Sequence, residues 1–288
     1  MGYLHIDNLY KNQDILLFKE CYALEKIHGT SANVRWKEGS VRFFSGGESY
    51  NKYIALFDEK NLFDKFDEIF GKETHVIVHG EAYGGKQQGM KLTYGEDLKF
   101  VVFDVKVDDC WLDVPNAEDV AKKLGLEFVS YKRILSRLQY IDAQRDKHSV
   151  QAERNGCGND KLREGIVLRP LIEVTKNNGS RVISKHKRDE FKETATKREV
   201  SPEKLKILKE ADTIAKEWVT HMRLMHILDK ADFDMKIENT GKVIKLMIED
   251  IHREAKDEIV INATTDKSIG KTTALLYKKH LGSLVKEK

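Results

Sequence analysis

"ALEKIHGTSAN", residues 23–33, sets Lys26 between a glutamate and a short glycine turn, directly after an apolar stretch. Two readings of Lys26 follow from elementary chemistry. Charged residues beside turns are mostly solvated, which makes it a surface lysine at a strand end. The other reading is a nucleophile. An ordinary lysine has a pKa near ~10.4, so the neutral amine at pH 7 costs about 4.6 kcal/mol. Burial and nearby cations can lower that cost. A nucleophilic Lys26 therefore has to be served by groups elsewhere in the chain.

Four stretches supply such groups. "SKHK" (184–187) puts Lys185 and Lys187 two apart, on one face of a strand, where they can tune an amine or hold phosphate oxygens. "HGEAYGG" (79–85) carries Glu81 near the end of an apolar run, and "REGIVLRP" (163–170) carries Glu164 just before another. Paired carboxylates at strand ends can orient a ribose hydroxyl or hold the water shell of a magnesium ion. "FVVFDV" (100–105) offers Phe103 as a face for a purine.

The bulk composition sets the frame. The chain has 288 residues, 40% apolar and 34% charged, with a net charge of +3. That suits one large or two ordinary globular domains, and it is far from a polycation. A nucleic-acid site must come from local clustering. One such cluster is Arg181, Lys185, Lys187, Arg188, Lys192, Lys197 and Arg198. Three cysteines, Cys21, Cys110 and Cys157, lie far apart with no C-x-x-C pair, as in a reduced protein without structural zinc. No apolar run approaches the ~18 residues of a membrane span. The first ten residues lack the pattern of a signal peptide, and Ile6 stands where a myristoylation signal wants Ser or Thr. An intracellular protein (in the host cell if viral) is expected.

Up to about residue 195 short Val/Ile/Phe-rich runs alternate with turns, the pattern of an α+β domain. Residues 117–126 predict a short helix closed by Gly125, and 135–154 a second. The pattern changes at Ser201-Pro202-Glu203, a helix start with an N-cap serine and proline at N1. Leu205, Leu208, Ile214, Ala215, Trp218, Met222 and Met225 then recur at three- and four-residue spacing, predicting one long helix. Two more helices are expected near 241–257 and 267–286. The boundary falls near 196–201, giving domains 1–198 and 199–288.

Three other patterns mislead. "SIGKTT" (268–273) has Thr265 where a phosphate-binding loop needs glycine, so it predicts an ordinary helix start. The "GCG" at 156–158 and the "GG" at 84–85 lack the third glycine of a dinucleotide fold. His221 and His226, five apart, are wrongly spaced to share a metal.

Taken in order, the motifs resemble those of the covalent nucleotidyltransferase superfamily of ligases and capping enzymes. Within it the chain is most similar to the RNA ligase 2 family of ATP-dependent polynucleotide ligases. Lys26-Ile-His-Gly29 matches the nucleophile motif K-x-x-G, Glu81 the third motif, and Phe103 the adenine-stacking one. Glu164-Gly165 matches the fourth, and Lys185 with Lys187 the fifth. The resemblance covers about residues 20–190. It implies an α+β nucleotidyltransferase fold, ATP-grasp-like antiparallel sheets with helices, followed by a small all-helical C-terminal domain. It implies an RNA ligase that joins 3′-OH and 5′-phosphate RNA ends, using ATP and Mg2+ or Mn2+, through lysine–AMP and RNA–adenylate intermediates. Lys26, Glu164, Lys185 and Lys187 would be catalytic. Glu25, Arg42, Glu81 and Phe103 would join them in holding the nucleotide, and Glu81 and Glu164 the metal. The second motif fits loosely: "VRFFSGG" has Arg42 four residues before Gly46, with two phenylalanines between. The helical tail lacks the strand-rich OB pattern of DNA ligases and capping enzymes. A DNA ligase or a GTP-dependent capping-type enzyme is the alternative; a non-catalytic RNA-binding protein is the alternative of another class.

Overall fold

Alternation of apolar and polar residues from Glu20 onward produces strands rather than helices, because a period of two places every second side chain on one face. The computed structural model describes residues 2–193, 211–256 and 258–286. The chain splits into two compact units, Met1–Arg188 and Asp189–Lys288. The first contains β1 (Glu20–Lys26), β2 (Thr30–Lys37), β3 (Ser40–Ser45), β4 (Val76–Tyr83), β5 (Lys99–Val107), β6 (Cys110–Trp111), β7 (Tyr131–Leu135), β8 (Gly165–Pro170) and β9 (Ser184–Lys187). They form two antiparallel sheets, in the orders β7-β1-β8-β9 and β3-β2-β4-β5-β6.

The second sheet is amphipathic. Ala32, Val34 and Trp36 lie opposite Gly80, Val78 and Val76 and face a core with Tyr53 and Phe66. Trp36 stacks on Phe66 with ring centroids 5.7 Å apart, and its indole N–H donates to the carbonyl of Gly71 at 2.7 Å. The helices Glu59–Phe70 and Val114–Leu124 close this side, the latter ending on Gly125 in the left-handed conformation. The opposite face carries Ser31 beside Glu81 and Asn33 beside His79. It turns toward the first sheet.

A buried ionic cluster ties the two sheets together. Asp104 on β5 accepts from Arg169 of β8 at 3.0 Å and from Arg181 at 2.6 Å. Glu173 completes it, accepting from Arg169 at 2.7 Å and Arg181 at 2.6 Å. The Arg181 guanidinium lies 4.0 Å from the centroid of the Trp111 ring. Arg181 is thereby withdrawn from the basic cluster expected at 181–198, since its charge is spent on two carboxylates. Lys192 is paired with Asp189 at 2.6 Å. Lys197 and Arg198 lie outside the described residues.

Two of the expected helices are broken by side-chain caps. Residues 135–154 form Leu138–Arg145 and Val150–Arg154, because Ser149 accepts from the amide of Ala152 and starts a new helix. In the second unit the single long helix is two, Ala211–Trp218 and His221–Asp229. Thr220 caps the second through the amide of Arg223 at 3.2 Å, which resets the phase of the buried face. Leu224, Ile227 and Leu228 are buried, and Met222 and Met225 only half-buried. Ser201, Pro202, Glu203, Leu205, Leu208 and the expected boundary at 198/199 lie outside the described residues. Thr240–Glu254 and Ala263–Lys286 complete the unit around Met247, Ile251, Ile269 and Tyr277. Asn262 caps the last helix at the amides of Thr264 and Thr265, so "SIGKTT" is helix interior rather than helix start.

Breaking the ionic cluster should be costly, since removing one partner strands the other charges in the interior. Asp104→Asn leaves two guanidinium groups on one carboxylate. It should lower the stability of the first unit by about 3 kcal/mol in urea unfolding followed by Trp fluorescence.

Candidate active site

The register of the first sheet assembles the lysines. Lys26 lies opposite Gly165 and Gly165 opposite Lys187, while Leu24, Val167 and Lys185 form the next row. Residues paired across strands share a face, so Lys26, Lys185 and Lys187 project to the same side. Gly165 keeps the middle of the first row empty of side chain. A Cβ there would stand 2.3 Å from the carbonyl oxygen of His186 and 2.7 Å from the Cα of Lys187.

Glu164, the residue before β8, is buried beneath these cations. Its Oε2 accepts from Lys26 Nζ at 2.9 Å and lies 3.1 Å from His28 Nδ1. Lys187 Nζ lies 3.0 Å from Oε1. Burial alone would raise its pKa. Lys26, Lys187 and His28 outweigh that and hold the carboxyl well below the usual carboxylate range.

Glu81 faces the same region from β4 of the second sheet, and its environment has the opposite effect. Burial pushes its pKa up to about 7; Lys26 opposes the rise and the like charge of Glu164 adds to it. The two carboxyls are thus driven apart, one held ionised and the other poised near neutrality.

The turn after Lys26 is gripped by its backbone. Gly29 N–H donates to Glu81 Oε1 at 3.1 Å, and Gln88 Nε2–H donates to the Gly29 carbonyl at 3.3 Å. The His28 amide donates to the hydroxyl oxygen of Tyr94 at 3.4 Å. Only glycine fits at 29, since a Cβ would sit 2.4 Å from the Ala82 carbonyl oxygen. His28, Gln88 and Tyr94 were not singled out from the sequence. His28 alone had a visible signal, standing two residues from Lys26 inside the motif itself.

Of the other expected residues, Phe103 is the extra residue of a β-bulge. His79 pairs with Asp104 and Gly80 with Val102, which leaves Phe103 between them, half-buried. Glu25 points away from Lys26, as alternation requires. Its carboxylate accepts from Ser149 Oγ–H at 2.6 Å and the Val150 amide at 3.0 Å, which anchors the helix Val150–Arg154. Arg42 is exposed on β3, opposite Arg35. Among the described residues, no hydrogen bond or ion pair joins it to the cluster around Glu164. No group of three or more His, Cys, Asp or Glu side chains stands ready for a metal among the described residues.

Comparison with known proteins bears on the fold and the family. The family model for RNA ligase matches residues 19–187. A sequence search of curated proteins returns no match. Among solved structures, Naegleria gruberi RNA ligase with pyrophosphate superimposes with a TM-score of 0.51 at 16% identity, covering 66% of this chain and 57% of that one. A mutant of the same protein with AMP and manganese gives the same figures. Another, with ATP and manganese, gives 0.51 at 15% identity and the same coverage. The likeness is one of fold, and the chain spans 57% of the length of those proteins. No helix among the described residues is long and apolar enough to cross a membrane. With the match running from the start of β1 to the end of β9, over more than half of the chain, the protein belongs to the RNA ligase family.

Proposed function

We propose that the chain is an ATP-dependent RNA ligase of the RNA ligase 2 type, with Lys26 as its nucleophile. The observation that carries this is the placement of Lys26 Nζ: 2.9 Å from a buried, ionised Glu164, in one row with Lys187 and facing Glu81. The neutral amine attacks the α-phosphorus of ATP. An N–P bond forms, the bond to pyrophosphate breaks, and the amine loses a proton. The adenylyl group then passes to an RNA 5′-phosphate, and a 3′-OH displaces AMP to form the phosphodiester.

The chain's own residues divide this work. Lys185 and Lys187 hold phosphoryl oxygens and neutralise charge as it develops. Lys187 and Lys26 exchange Glu164 for phosphate as the nucleotide enters, because both carry the same kind of charge-assisted bond. Phe103 stacks on the adenine. Arg42, on the exposed strand β3, is the candidate for ribose or substrate phosphate, and Glu25 is left to serve the base through its backbone. Of the two proposed metal ligands, Glu164 is already paired with Lys26 and Lys187 and lies against His28, whereas Glu81 is a carboxylate whose charge is disfavoured where it stands. Glu81 therefore fits a divalent cation, and Glu164 orients the lysines. Mg2+ or Mn2+ held there would neutralise phosphate charge. All these residues lie within Met1–Arg188, to which we assign adenylylation.

Incubation with each α-labelled NTP and magnesium should give covalent label with ATP alone, and one added AMP by intact mass. Lys26→Ala should abolish both while keeping the wild-type circular dichroism. Label from GTP alone would make the protein a capping-type enzyme, and no label from any nucleotide would sink the reading.

Glu81 gives a pH test without ligands. Its folded pKa, about 7, lies above the ordinary 4.5. The protonated form is thus the one the fold prefers, and this stabilisation is present below pH 4.5 and lost as pH rises to about 7. Glu81→Gln cannot ionise and should be more stable than wild type at pH 8, by about 2 kcal/mol. The difference should shrink toward pH 5 in urea titrations; a gap that does not change with pH would remove the perturbed carboxyl.

A further inference from the structure

The family match begins at residue 19, yet the polar face of the second sheet is completed by residues that precede it. Tyr3 is anchored at both ends. Its amide donates to Ser31 Oγ at 3.3 Å. Its hydroxyl donates to Asp104 Oδ2 at 2.5 Å and accepts from Arg181 Nη1 at 2.9 Å. Between these anchors the ring meets Phe103 in an edge-to-face contact, with centroids 4.9 Å apart and planes at 79°. Edge contacts with His79 at 5.0 Å and Trp111 at 5.7 Å fix it from other sides.

Phe103 needs such a neighbour. As the extra residue of a bulge it lacks the cross-strand partner that orients an ordinary strand side chain. The same N-terminal segment then reaches the phosphate end of the site. The Lys185 amide donates to the Asp7 carbonyl at 2.9 Å, and the Leu9 amide donates to the Lys185 carbonyl at 2.8 Å. One short stretch thus touches the backbone that carries a phosphate-binding lysine and the ring proposed to take the base.

We infer that residues 3–9 form a wall of the nucleotide site, with Tyr3 as a positioning residue that sets the Phe103 ring for a purine. This rests on the adenylyl-transfer reading of the site. The residue acts on binding rather than on bond making, because it touches neither Lys26 nor the carboxylates beside it.

The test is self-adenylylation of the full chain, measured against ATP concentration for wild type, Tyr3→Leu, Phe103→Leu and the double variant, with Tyr3→Phe as control. Failure of the wild type to label overturns the adenylyl-transfer reading itself. Given wild-type labelling, Tyr3→Leu should raise the KM for ATP about five- to tenfold while kcat falls less than threefold. Tyr3→Phe, which keeps the ring, should stay within about threefold of the wild-type KM. The double variant should show the KM of Phe103→Leu alone, since a residue that acts through another adds nothing once that other is gone. A wild-type KM in Tyr3→Leu, or multiplied effects in the double variant, would overturn the inference. So would equal KM losses in Tyr3→Leu and Tyr3→Phe, which would place the effect in the Asp104 cluster. Melting curves accompany each variant, and if Tyr3→Leu fails to fold, Tyr3→Met takes its place in the cycle.

Discussion

Asp104 serves two sheets with one carboxylate. Its oxygens take Arg169 from the first sheet's β8 and Arg181 from the chain leading into β9, while Asp104 itself belongs to β5 of the second. Burying four charged groups costs several kcal/mol each unless every charge is matched, and here two guanidinium groups meet two carboxylates. Such a cluster tolerates little displacement. Sliding one sheet past the other by a single residue, ~3.3 Å, would break every one of its bonds. The relative setting of the sheets is thereby fixed, and with it the separation between Glu81 on one and the lysine row on the other. The chemistry of the cleft is downstream of this structural clamp.

Within the cleft, charge is arranged as an imbalance awaiting a ligand. Three basic groups share Glu164, and burial pushes the pKa of a second carboxyl, Glu81, up to about 7 because its charge is unwelcome. On the proposed reading, a polyphosphate with its cation would take over from Glu164 as partner of the lysines and neutralise Glu81, so binding would relieve both stresses at once. Preorganised groups of this kind need no rearrangement at the moment of reaction.

Much of this was legible in the sequence because it depends on short-range rules. Strand alternation placed Lys185 and Lys187 on one face, and Glu164 and Glu81 beside strand ends, whereas the addition of Lys26 to that face depends on the register across β8. Charge partners were illegible for the opposite reason. Arg181 looked like part of a basic track, and only the folded chain shows it buried against Asp104 and Glu173, the former far off in sequence. Caps had the same effect on helices. A threonine at 220 in an unbroken apolar stripe carries no signal of a stop, yet it ends one helix and phases the next. Glu25 shows the limit of motif reading. It sits beside Lys26, and its side chain serves the scaffold, because neighbours on a strand face opposite ways. Tyr3 lies in a stretch without periodicity, and its place follows from hydrogen bonds that no local pattern encodes.

Gly165 leaves a slot in the surface of the first sheet. Its flanking strands stand about 4.8 Å away on either side, so Lys26 and Lys187 emerge roughly 9.6 Å apart at their backbones with bare main chain between them. What keeps the gap bare is the β9 backbone, since a Cβ at 165 would stand 2.7 Å from the Cα of Lys187. An exhaustive substitution library would therefore treat position 165 differently from either lysine. Substituting Lys187 removes a charge and leaves the backbone in place, whereas any side chain at 165 collides with the β9 backbone, 2.3 Å from the carbonyl oxygen of His186. Position 165 is thus constrained by space, as is Gly29, and neither contributes a functional side chain.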